Sequence, residues 1–159
     1  MTALLLASVS SFAQYSDAVL FDAYLRADMS VWNSYLHAYD FNKLSLREKE
    51  RYLNYEYGYV ATAIDQKEPD AEQHLQNFEK HIEALKPYLE KAMYLDYMSS
   101  CVAYKALMNK AKFISYGLES KKLIYEAFEV DSLNPSVLTL KGNVDFYAPN
   151  MIGGNKKRA

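Results

Sequence analysis

The chain has 159 residues, half of them apolar and only 5 Gly and 4 Pro among them, which is long enough for a real core and poor in the turn residues a β fold needs. Its formal charge of −2 excludes a general attraction for nucleic acid or an anionic membrane. The lone Cys101 excludes an intrachain disulfide and any multi-cysteine metal site, and reads as a small buried hydrophobe rather than a nucleophile.

In chain order, "MTALLLASVSSFAQ" comes first. An apolar run (Ala3 to Val9) is followed by Ser11-Phe12-Ala13, with small residues one and three positions before a cut ahead of Gln14. That is the hydrophobic and cleavage region of a secretory signal peptide, lacking the basic start, since no Lys or Arg precedes Arg26. It is too short to span a bilayer, which takes roughly 20 apolar residues. Residues 1–13 are therefore expected to be a clipped signal peptide and 14–159 one α-helical domain. No cysteine follows Ala13, so no lipoprotein anchor is indicated. Export without disulfides suits a bacterial periplasmic or secreted protein.

Over residues 17–39, Asp22, Arg26, Ser30, Asn33 and His37 recur at spacings of three and four, a narrow polar stripe on one otherwise apolar helix. Asp28 falls off that stripe, beside Tyr24, Leu25 and Trp32, so it is expected on a buried side with a tyrosine hydroxyl or backbone amide as partner, or in a ligand pocket. Ser45-Leu46-Arg47-Glu48 has the form of a capping box opening a second helix to about Gln66. A third helix starts at Pro69 and reaches Leu85, where Pro87 ends or kinks it. Residues 88–114 read as helical with a break near Ser99-Ser100. Tyr116-Gly117 reads as a turn, 118–131 as a helix ended by "DSLNP", and 136–148 as one more. No segment alternates with period two, so the fold class is all-α.

Of fifteen tyrosines, Tyr52, Tyr55 and Tyr59 share a helix face, either an aromatic ligand wall or interhelical packing with hydroxyls at the rim of the core. Gly58, Ala61 and Ala63 let a neighbouring helix approach closely. There is no phosphate-binding glycine loop, His-Glu-x-x-His or serine elbow, so no enzyme is expected, and no cofactor. His74 and His81 stand about 10 Å apart along a helix, too far to share a zinc ion, and Asp70 with His74 reads as a solvated pair. On the helix expected through residues 103–112, Lys105, Asn109 and Lys112 form a polar strip at spacings of four and three, between flanks that read as core.

"LIYEAFEVDSLNPSVLTLKGNVDFYAP" (residues 123–149) places Ala127 near the end of a helix, an Asp131-Ser132-Leu133-Asn134-Pro135 exit, and Gly142 within the next helix. This resembles the junction between consecutive tetratricopeptide repeats, with Ser132 where proline is usual, and the likeness runs over roughly residues 95–159. The resemblance implies antiparallel helix pairs stacked as a right-handed superhelix, the last repeat truncated: residues 136–148 its first helix, 150–154 the inner turn, and Asn155 the cap of the second. It also implies that Lys105, Asn109 and Lys112 line a concave groove. Lys105 and Asn109 look like part of a carboxylate clamp, although Leu140 stands where a second asparagine would complete it. The expected function is a non-enzymatic module that holds a protein or peptide partner in the bacterial envelope. Some exported relatives resemble accessory subunits of periplasmic transporters, which leaves a solute-handling alternative. An open polar groove would favour the first reading and a cavity enclosed by tyrosines the second.

Overall fold

The computed structural model describes residues 15–152 and 154–157. The expected signal peptide lies outside them. Among the described residues the protein is all-α, with no strand and seven α-helices: α1 (Asp17–Leu25), α2 (Ser30–Ala38), α3 (Leu46–Asp65), α4 (Ala71–Leu85), α5 (Lys91–Met108), α6 (Phe113–Val130) and α7 (Pro135–Tyr147). The chain divides into two compact units, one ending at Tyr59 and one beginning at Val60.

In the first unit, the single helix expected over residues 17–39 is two helices. α1 ends because Ala27 takes a left-handed backbone (φ 54°). The Ala27 amide then donates to the Tyr24 carbonyl at 3.0 Å and the Asp28 amide to Ala23 at 2.9 Å, the paired closing bonds of a Schellman motif. The same device closes α3, where Lys67 (φ 57°) donates to Ile64 at 3.2 Å and Glu68 to Ala63 at 2.9 Å. Neither position holds glycine, so no residue type announces either stop. The break also overturns the burial expected of Asp28, which is exposed and accepts the Ser30 hydroxyl at the mouth of α2.

The first unit is packed with rings. Trp32 Nε1 donates to the Leu20 carbonyl at 2.7 Å, and the indole meets Tyr55 edge-on with centroids 5.0 Å apart. Gly58 lies beneath it; a Cβ there would stand 2.5 Å from the indole ring, so the absence of a side chain sets how closely α3 and Trp32 approach. The expected capping box opens α3, with Glu48 accepting the Ser45 amide at 2.8 Å and its hydroxyl at 2.6 Å.

In the second unit, α4 is closed before Pro87, as expected, but begins at Ala71, with Pro69 in the preceding turn. α5 is continuous through Ser99-Ser100. Both serines are buried, and Ser99 donates to the Ser120 carbonyl at 2.8 Å, so small polar side chains here make a close helix contact rather than a break. Nor is Tyr116-Gly117 a turn. α6 runs through it, and Gly117 answers to packing, since a Cβ would lie 2.9 Å from Ile152 Cδ1.

α5 and α6 are antiparallel. Ala92 and Leu95 of α5 share a core with Ile124 and Ala127 of α6, while Ser99 meets Ser120, so positions advance on one helix as they recede on the other. Val137 of α7 completes that core, with Leu140 and Val144 against it. Each such fully buried aliphatic side chain contributes about 1.5–3 kcal/mol through removal from water. α7 starts at Pro135, one residue ahead of the expected 136, its cap Asn134 accepting the Ser136 amide at 3.0 Å. α7 lies parallel to α5: Ser136 bonds Asp96, 40 residues back, and Asn134 reaches Met93, 41 back. A tetratricopeptide repeat has a period of about 34 residues. The longer offset follows from two 18-residue helices per pair. Further on, the Asn155 side chain accepts the Lys157 amide at 3.0 Å, as an N-cap would, and Lys156 and Lys157 form a turn.

Candidate functional site

The tyrosine wall is packing. The Tyr52 hydroxyl donates to the Leu36 carbonyl at 3.0 Å and the Tyr55 hydroxyl to Asp17 Oδ1 at 2.9 Å, while Tyr59 is buried. Burial pushes Tyr35 and Tyr55 up to about 12, so both phenols stay neutral throughout the physiological range. Arg51 secures this cluster. Its guanidinium lies 5.1 Å from the Tyr35 ring centroid and 5.4 Å from that of Tyr55, and its Nε reaches Asp17 at 2.6 Å. Hydrogen bonds from Arg51 and then Tyr55 hold the Asp17 carboxyl below its usual range.

The three strip residues are found at one corner of the second unit, but not on one helix. α5 ends at Met108 because Asn109 turns to extended backbone (φ −123°, ψ 91°) and uses its side-chain oxygen to accept the Lys112 amide at 3.2 Å. Asn is a natural cap, and that local bond outcompetes continued helix. Lys112 therefore sits in a short 3₁₀ turn (Lys110–Lys112), with its ammonium 5.6 Å from the centroid of the Tyr116 ring. Lys105 remains on α5 and donates to Glu79 Oε1 of α4, both side chains partly buried. Burial is the largest influence on the Lys105 pKa and works to lower it, but the Glu79 hydrogen bond and the surrounding Coulombic interactions together raise the value, so Lys105 stays charged.

A pocket of about 290 Å³ opens around this pair. α4 supplies Glu72, Leu75, Gln76 and Glu79, which the spacing of three and four puts on one face. α5 adds Lys105 and Met108, the residue that caps it adds Asn109, and α6 adds Tyr116. Lys105 and Asn109 are thus brought together, and Lys112 is not among the lining residues. The α4 wall, which periodicity along α5 could not reveal, is half of the lining. Its Glu79 lies 26 residues from Lys105. A second, apolar hollow of about 280 Å³ lies among α5, α6 and α7, lined by side chains such as Leu107, Phe113, Val144 and Tyr147 and by no charged group.

His74 is buried and pairs with Asp70 at 3.3 Å. Among the described residues no group of three His, Cys, Asp or Glu is placed to hold a metal ion, and no helix is long and apolar enough to cross a membrane. Cys101 is buried in α5. Comparison with protein-family models, with curated proteins and with solved structures returns no match to this chain. The class that fold and site define is an all-α protein with a polar pocket at a helix junction.

Proposed function

We propose that this protein is a non-enzymatic helical-repeat module, related in design to tetratricopeptide arrays, that holds a protein or peptide segment in the bacterial envelope. The observation that carries this reading is the open polar pocket of α4, α5 and α6, in which Lys105 and Asn109 converge with Glu72 and Glu79. Support for the repeat comes from the packing order: α5 against α4, α6 and α7, with α6 against α7. A helix that touches its successor and the helix after that is how stacked pairs extend a core one unit at a time. Export is supported by the apolar, serine-rich run closing on Ser11-Phe12-Ala13.

Two experiments test the reading. Selection of a random-peptide library on the full chain is expected to enrich a shared motif, and Gln76→Trp, an exposed position filled with a large ring, to abolish capture while leaving the melting temperature unchanged. No enrichment, or capture indifferent to Gln76→Trp, overturns pocket binding. Expression with export in a bacterial host, followed by mass spectrometry, is expected to place the mature start at Gln14.

A further inference from the structure

The charge of the pocket is opposite in sign to what the strip Lys105-Asn109-Lys112 suggests when read along one helix. Lys105 is already neutralised by Glu79, and the Asn109 oxygen is committed to the Lys112 amide. That leaves Glu72 on the exposed lip of α4, touched by the Gln76 amide at a long 3.5 Å. The same pocket is lined by Leu75 and Met108, apolar surface suited to an alkyl stem, and by Tyr116. That ring already accepts one cation on its face, the Lys112 ammonium standing over it. A ligand that satisfies these groups together carries a positive head on an aliphatic stem.

We infer that the pocket receives a basic side chain, arginine or lysine, of the bound segment, with Glu72 and the Tyr116 face meeting its charge and Leu75 and Met108 its stem. This rests on the peptide-binding reading above and gives the partner a chemistry. A carboxylate would have to displace Glu79 from Lys105 and then lie near Glu72, so acidic segments are disfavoured. Lys112 competes for the Tyr116 face, so its removal favours the incoming cation.

The test uses acetyl-arginine amide and acetyl-glutamate amide as probes on the full chain, read by amide chemical shifts. The arginine probe is expected to shift Glu72, Gln76 and Tyr116, and the glutamate probe to leave them in place. Glu72→Gln, at an exposed position, should weaken the arginine probe about tenfold, the loss of one charge-assisted contact, without altering the melting temperature. Lys112→Ala should tighten it. Binding should also weaken in high salt. A glutamate probe that shifts the same resonances, or arginine binding indifferent to Glu72→Gln, overturns the proposal. The peptide selection separates this failure from that of the reading beneath it: enrichment of acidic motifs sinks the basic side chain and leaves peptide binding standing, whereas no enrichment sinks both.

Discussion

The two units are held by different means. Up to Tyr59, order comes from rings whose polar ends are fixed, with Trp32 bonded to a carbonyl, Tyr52 and Tyr55 likewise anchored, and Arg51 laid across two tyrosines. From Val60 on, rings such as Phe78 and Tyr97 are also buried, but the α5–α6 seam is set by small residues, Ala92, Ala127, Ser99 and Ser120, with Leu95, Ile124 and Val137 beside them. Large rings make few, specific contacts in a fixed orientation, whereas small residues permit a regular approach that each further helix can repeat. The second arrangement lets one helix pack closely along the next. The first leaves no tyrosine hydroxyl on Tyr52 or Tyr55 free for a ligand.

That contrast is most severely tested at Trp32. Trp32→Ala should cost about 3–5 kcal/mol, because it removes a buried ring together with its hydrogen bond to the Leu20 carbonyl. Hydrogen exchange is expected to show the loss in α1 and α2. Equal loss of protection in α6 would mean that the units unfold as one, and the comparison would fall.

A pair of glycines sharpens it. Gly58→Ala forces a methyl against the indole and should destabilise by about 1–3 kcal/mol despite the better helix propensity of alanine. Gly142→Ala, in the interior of α7 with nothing within 4 Å of the new methyl, should stabilise by about 0.5–1 kcal/mol. Thermal melting of both variants reads the signs, and a stabilised Gly58→Ala would mean that Trp32 is not packed as described.

The smallest effect is in pH. Asp96 is buried, its Oδ1 unpartnered, and burial raises its pKa against the lowering influence of the Ser136 hydroxyl. A carboxyl whose folded value exceeds its unfolded one favours the fold fully below about pH 4 and loses that contribution as pH rises through the folded value. Asp17 has the opposite sign, its contribution present above about pH 4 and lost as acid protonates it through its lowered value. Asp96→Asn should therefore raise the melting temperature at pH 7, by a stability gain of at most about 1 kcal/mol, with the gain vanishing near pH 4. Asp17→Asn should lower stability at pH 7 and change little in acid. A like sign for the two variants would refute the assignment.

What was legible in the sequence was what a few neighbouring residues decide among themselves. The Ser45–Glu48 box, the break between α6 and α7 at Asp131–Pro135, the stop before Pro87 and the all-α class rest on hydrogen bonds and steric restrictions within one turn of the chain, so residue types suffice to announce them. Tertiary structure decided the rest. Ala27 and Lys67 hold left-handed backbone that neither residue prefers, so residue type did not announce either stop, and only the folded backbone shows it. Gly117 stays helical because Ile152 packs against it, and Ser99 because Ser120 answers it across the seam. The sign of the pocket was decided in the same way. Lys105 read alone is a free cation, and only folding carries Glu79 to it across an intervening turn, since electrostatic partnership depends on distance in space and not on position along the chain.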